Sequence, residues 1–123
     1  MQKKILIVDD SESIRELVGS TLEQAGYKVY KGVNGKDGLE RLKTLDDTIS
    51  LVITDLFMPI MDGLDLIRNV RKMDEYKFVP ILMLTTESHI DKKMEGKKAG
   101  VTGWMVKPFE EDRLLRIVRK ILR

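Results

Sequence analysis

Three aspartates, a threonine and a lysine stand where their chemistry could be pooled. Asp9 and Asp10 follow the apolar run Ile5 to Val8, and Asp55 follows Leu51 to Thr54. Thr85-Thr86 follows Ile81 to Leu84, and Lys107-Pro108 follows Trp104 to Val106. Carboxylates brought together without help repel one another, so a converging trio calls for a divalent cation and a balancing lysine. Mg²⁺ suits such a set, because it takes one or two protein carboxylates, keeps several waters and leaves room for phosphate oxygens. A carboxylate attacks an activated phosphoryl group when metal and lysine absorb charge on the transferring oxygens. These residue types therefore predict phosphoryl chemistry, with Asp55 at the end of a buried strand.

Convergence requires a particular scaffold. Short apolar runs at Ile5 to Val8, Val29 to Val33, Leu51 to Thr54, Ile81 to Leu84 and Trp104 to Val106 read as strands. Between them lie helical spacings: Ile14, Leu17, Val18, Thr21, Leu22 and Ala25; Leu39 and Leu42; Leu64, Ile67 and Val70. Ile90, Met94 and Lys98 mark a weaker, more polar fourth helix, and Leu114, Ile117, Val118 and Ile121 the last. Gly26 fits a helix stop, Asn34-Gly35 a turn that caps the second helix, and Asp10 or Ser11 a cap for the first, with Ser13 and Glu16 also spaced as a capping box. Strand–helix alternation forces parallel pairing through right-handed crossovers, and the all-apolar strands suit a sheet covered on both faces. The expected fold is α/β, an open doubly wound (βα)5 sheet in one domain over residues 1–123, with ligands at the carboxyl ends of the strands.

Composition narrows the function classes. The 123 residues carry 22 basic and 20 acidic groups, a net charge of +2, which gives no global electrostatic case for nucleic acid. The absence of cysteine removes thiolate metal sites and thiol nucleophiles and suits a reducing compartment, so the cytoplasm is expected. No run approaches the ~20 apolar residues of a membrane span, and the four apolar residues after Lys3-Lys4 are too few for a signal peptide. The lone His89 has no cysteine or second histidine nearby and reads as exposed rather than metal-binding. Met58, Met61, Met73, Met83, Met94 and Met105 read as gap-filling core or loop packing.

Taken singly, an aspartate at a strand end is a cap or a turn residue; together these groups resemble the receiver domains of two-component response regulators. The acid pair in IVDDSES, the aspartate in ITDLFMPIMDG, the threonine in ILMLTTES and the lysine in WMVKPF fall in that family's order and spacing along the whole chain. The resemblance implies a flavodoxin-like, CheY-like strand order of 2-1-3-4-5. Asp55 would accept a phosphoryl group from the phosphohistidine of a kinase. Asp10, Asp55 and the backbone carbonyl of Phe57 would bind Mg²⁺, with Asp9 holding a metal-bound water. Lys107 would pair with the acceptor and then with the phosphoryl oxygens, aimed inward by a cis bond to Pro108, and the Thr85 hydroxyl would bond the new phosphate. Trp104 stands where the family moves an aromatic inward as the threonine is recruited, which makes it the expected switch residue.

The output surface implied is the fourth helix, fifth strand and fifth helix. Residues 89–123 carry ten basic groups against five acidic, which favours an acidic or amphipathic partner there. With no output domain expected after the last helix, the expected output is a binding event. The segment from Thr85 to Phe109 resembles single-domain chemotaxis regulators of the CheY type, implying a chemotaxis histidine kinase, the flagellar motor switch and in some cases a phosphatase as partners, with neither nucleic acid nor membrane. A phosphorelay intermediate and a phosphate sink are the alternatives within the family, and a structural adaptor with an idle site is a further one.

Two departures stand out. Phe57, two residues after Asp55, replaces the polar residue common in chemotaxis members, beside a path for hydrolytic water and with Glu87 as its expected neighbour; Trp104 is bulkier than the usual Tyr or Phe. Phe57 also bears on the main rival, a small Mg²⁺-dependent aspartyl-phosphate phosphatase, which needs an acid at that position. The expected role is a phospho-switch that promotes only its own phosphorylation and dephosphorylation. A nucleotide enzyme is excluded because Asp9-Asp10-Ser11-Glu12 stands where a glycine-rich phosphate loop would be needed.

Overall fold

The computed structural model describes residues 2–123. Strands β1 (Lys4–Val8), β2 (Lys28–Gly32), β3 (Leu51–Thr54), β4 (Ile81–Thr85) and β5 (Gly103–Val106) alternate with helices α1 (Glu12–Gln24), α2 (Gly35–Thr44), α3 (Gly63–Arg71), α4 (Ile90–Ala99) and α5 (Glu111–Leu122). All strand pairs are parallel and the order is β2-β1-β3-β4-β5, the doubly wound flavodoxin-like sheet expected.

Side-chain alternation splits the core into two layers. Leu6, Val8, Val52 and Met83 pack with Leu39 and Leu42 of α2 and with Leu66, Ile67 and Val70 of α3. Ile5, Ile7, Ile53, Leu82 and Leu84 pack with Val18 and Leu22 of α1 and with Leu114 and Val118 of α5. β3 and β4 are buried throughout, as strands covered on both faces must be. Register then places the site: Val8 pairs with Thr54 and Thr85 with Val106, so Asp9 and Asp55 leave the sheet side by side.

Local capping follows the sequence with one correction. The Ser11 hydroxyl accepts from the Ile14 N–H and caps α1, so Ser13 lies inside the helix and the Ser13/Glu16 capping box does not form. Asn34 caps α2 by accepting from Asp37 N–H at 2.8 Å, and Asp62 caps α3 from Asp65 N–H at 2.9 Å. α4 departs further from expectation. Gly96 is its only buried residue, while Ile90 and Met94 are 65% and 54% exposed. Met94 is therefore not packing material, whereas Met83 and Met105 are buried in the core and Met58, Met61 and Met73 pack against it. The expectation for Met94 failed because a methionine on a polar helix carries no signal about which way that face points.

One tie had no sequence signature. Arg71, at the end of α3, donates to the carbonyls of Gly100, Tyr76, Lys77 and Val79, at 2.6 Å for Val79 and 2.7 Å for Gly100. It joins the α3–β4 loop to the end of α4, and burial lowers its pKa. Among the described residues no helix is long and apolar enough to cross a membrane.

Candidate functional site

The carboxyl rim gathers the predicted groups. One oxygen from each of Asp9, Asp10 and Asp55 lies within 4.8 Å of the others, with Asp9 buried, Asp55 partly buried and Asp10 exposed. Asp9 is fixed from three sides: its carboxylate accepts from Ser11 N–H at 2.9 Å and from Lys107 at 2.8 Å, and its carbonyl accepts from Arg15 at 2.6 Å. Asp55 is placed by its backbone, whose N–H bonds the Val8 carbonyl at 2.9 Å, and is oriented by Leu56 N–H donating to Oδ1 at 2.8 Å. That leaves Oδ2 toward Lys107, whose ammonium lies 3.6 Å away.

Electrostatics set Asp55 apart. Burial pushes its carboxyl above the usual carboxylate range; Lys107 opposes the rise, Asp9 adds to it, and the Leu56 amide and Thr85 hydroxyl favour the ionised form. The net result is a carboxylate whose charge is incompletely compensated by protein groups alone. A hard divalent cation would complete that compensation. The all-oxygen donor set fits Mg²⁺, with the exposed Asp10 edge leaving room for waters and phosphoryl oxygens.

Thr85 is fully buried at the end of β4, where its hydroxyl accepts from Glu87 N–H at 3.3 Å. Its carbonyl accepts from Lys107 N–H at 2.8 Å, which fixes the origin of the lysine side chain, and the Lys107-Pro108 bond is cis. Phe57 follows Asp55 by two residues and is 53% exposed. Trp104 is partly buried on β5, and its indole N–H donates to the Glu87 carbonyl at 2.8 Å. His89 is exposed and caps α4.

The loop from Leu56 to Gly63 is held by backbone contacts. A Cβ on Gly63 would collide with the Asp55 carbonyl, so only glycine lets α3 start against the Asp55 backbone. Gly63 N–H closes the loop onto the Leu56 carbonyl at 2.7 Å. Sequence reasoning missed Arg15 and the Leu56 amide; an arginine one turn into a helix and a backbone donor leave no motif.

This geometry has known counterparts. Residues 5–119 match the family model described as the response regulator receiver domain. Chemotaxis protein CheY1 of Helicobacter pylori is 41% identical over 107 residues, covering 86% of each chain. An uncharacterized transcriptional regulatory protein, YrkP of Bacillus subtilis, is 38% identical over 124 residues, covering all of this chain and 51% of that one. The solved structure of the chemotaxis response regulator CheY4 of Vibrio cholerae superposes with a TM-score of 0.92 at 43% identity, covering 99% of this chain and 100% of that one. The fold, the acid cluster at its carboxyl rim and these likenesses together define a receiver module of two-component signalling. The chain belongs to the response regulator receiver domain family, a family that typically uses Mg²⁺ and aspartate phosphorylation.

Proposed function

We propose that Asp55 accepts a phosphoryl group from the phosphohistidine of a kinase and that the resulting charge switches the face formed by α4, β5 and α5. The observation that carries this reading is the grouping of Asp9, Asp10 and Asp55 within 4.8 Å, with Lys107 reaching both Asp9 and Asp55. Asp9, Asp10, Asp55 and the Phe57 carbonyl are the residues to hold Mg²⁺, which when bound supplies positive charge for the phosphoryl oxygens. Asp55 Oδ2 attacks phosphorus while the P–N bond to the kinase histidine breaks, and the imidazole leaves with the bonding pair. Leu56 N–H holds the other oxygen away from the attack path. Lys107, freed from Asp55, pairs with the incoming oxygens while retaining Asp9, and Thr85 donates its hydroxyl to the phosphoryl group.

A phosphoryl group adds about −1.5 to −2 charge, so the arrangement that binds it better becomes the populated one. Its readout runs through Thr85 and the Glu87 backbone to Trp104, whose indole already ties β5 to the β4–α4 loop. Exposed Ile90 and Met94, one turn apart on α4, give that face apolar anchors, with Lys93 on α4 and Arg113 on α5 adding positive charge suited to an acidic or amphipathic partner. Likeness to CheY1 and CheY4 supports chemotaxis, with a chemotaxis kinase and the flagellar motor switch as partners, whereas the likeness to YrkP keeps other output routes in view.

The chain on this reading acts on no substrate beyond its own phosphate. A small aspartyl-phosphate phosphatase would need a proton donor for the leaving group, and Phe57 stands at that position. Inorganic phosphate release from p-nitrophenyl phosphate and from acetyl phosphate, both with Mg²⁺, separates the two. The switch predicts no turnover of the nitrophenyl ester and slow release from acetyl phosphate at the rate of its own dephosphorylation; rapid turnover of both would establish the phosphatase.

A further inference from the structure

α4 buries fewer residues than any other helix of the fold. Gly96 is its only buried residue, and Ile90 and Met94 face solvent, so no apolar stripe seats it. At its amino end the His89 cap is long, with Asp91 N–H donating to the exposed ring at 3.4 Å. The Lys92–Glu95 pair beside it, at 3.7 Å, joins solvent-exposed side chains and adds little. The carboxyl end is closed differently. Gly100, at φ 108°, and Val101 both donate to the Gly96 carbonyl, at 3.1 and 2.9 Å. The Gly100 carbonyl then accepts from Arg71 twice, from Nη2 at 2.7 Å and from Nε at 3.2 Å, while Arg71 Nη1 reaches the Val79 carbonyl at 2.6 Å. Arg71 therefore joins the end of α3, the loop into β4 and the end of α4.

The residue type suits this task. A planar guanidinium holds its donors in a fixed fork and satisfies carbonyls of two segments at once, which a lysine ammonium cannot do in one geometry. Among the described residues no carboxylate lies within 4.0 Å of Arg71, so its charge is spent on carbonyl oxygens, and a cation at the carboxyl end of α4 also opposes the helix dipole. The other hold on α4 is of a different kind. The Trp104 ring lies against Gly96, and its indole is tied to the Glu87 carbonyl, on the backbone that leaves the rim at Thr85. That contact depends on the state of the rim, whereas the partners of Arg71 lie in the loop into β4 and at the end of α4. We propose that Arg71 is a permanent clasp on α4: it keeps the carboxyl end of the helix seated in both states of the switch, so that release of the Trp104 contact frees the amino half alone. This inference rests on the phosphoacceptor reading given above for the trigger, and on the bonds of Arg71 for the clasp. Without the clasp, loss of the Trp104 contact would let the whole helix open instead of moving one end of it, because burial does not hold it.

Exchange of individual backbone amides with solvent, read by NMR on the full chain, tests this. In the parent, acetyl phosphate with Mg²⁺ should speed exchange at residues 93–95 and leave residues 97–101 slow. Arg71→Met should speed exchange at 97–101 about tenfold or more before any phosphoryl donor is added, with the amides of β1 and α5 unchanged as a check on the fold. After phosphorylation the whole helix of that variant should exchange. Arg71→Lys, which keeps the charge but not the fork, should fall between the two. A folded Arg71→Met protein that exchanges faster only in the loop at 76–80 overturns the proposal, since the arginine would then brace that loop alone. So does a phosphorylated parent in which 97–101 open together with 93–95, or in which 93–95 stay closed. If Arg71→Met does not fold, Arg71→Lys decides, and unchanged exchange at 97–101 in that protein rejects the clasp. Mass spectrometry of the same samples separates the two readings: a parent that takes up no phosphoryl group counts against Asp55 as acceptor, while the comparison made without donor still judges Arg71.

Discussion

The indole N–H of Trp104 donates to the backbone carbonyl of Glu87 at 2.8 Å, tying strand β5 to the loop that leaves the phosphoacceptor rim at Thr85. A Cβ at Gly96 would lie 2.8 Å from the Trp104 ring, so the glycine is what lets α4 accommodate an aromatic this large. Because Trp104 is the single tryptophan, the emission reports the surroundings of this residue alone. Phosphorylation with acetyl phosphate and Mg²⁺ should shift or quench the emission of the parent and leave an Asp55→Asn protein unchanged. Full phosphorylation with a constant spectrum would remove Trp104 from the switch.

Phe57 follows Asp55 by two residues and is 53% exposed, and on the phosphoacceptor reading its ring borders the approach of water to the acyl phosphate. We expect Phe57→Asn to lose phosphate several-fold faster than the parent, since the apolar ring excludes attacking water and an amide can position it. The decay of phosphorylated protein after donor removal measures this. Equal or slower decay in the variant would show that the ring does not guard the phosphate.

Burial holds the Asp55 carboxyl above the usual range, and that shift has a signed consequence for stability. The folded chain binds the Asp55 proton more tightly than the unfolded chain, so ionised Asp55 costs stability at neutral pH, and the cost disappears as pH falls through the folded pKa. An Asp55→Asn protein should therefore melt at a higher temperature than the parent at neutral pH, with the gap closing on acidification toward the ordinary carboxylate range. Mg²⁺ should raise the melting temperature of the parent more than that of the variant. A variant less stable than the parent at neutral pH would contradict this reading.

The α4–β5–α5 face should bind its partner partly through charge. Charge reversal at Lys93 and Arg113 is expected to weaken binding of the phosphorylated protein to an acidic partner peptide about tenfold, or roughly 1.4 kcal/mol, and to flatten its salt dependence. Unchanged affinity and salt dependence, measured by titration calorimetry across a salt series, would assign the partner to another surface.

Much of this molecule is legible in its sequence because strand ends do double duty. The runs ending in Asp9, Asp55, Thr85 and Lys107 announce both the sheet and the rim, and parallel topology brings their ends together without further information. What stayed hidden depends on tertiary direction. Ile90 and Met94 resemble a core stripe until the fold turns them outward, and Ser13 with Glu16 satisfies a capping pattern that Ser11 pre-empts two residues earlier. Arg71 and Arg15 act through backbone carbonyls brought near by folding, partners that have no sequence code.

The most direct test of the phosphoacceptor reading is intact-protein mass spectrometry after incubation with acetyl phosphate and Mg²⁺, run beside Asp55→Asn and a chelator control. The account predicts a gain of one phosphoryl group in the parent and none in either control. An equal gain in the Asp55→Asn protein, or no gain in a folded parent with Mg²⁺ present, would contradict it.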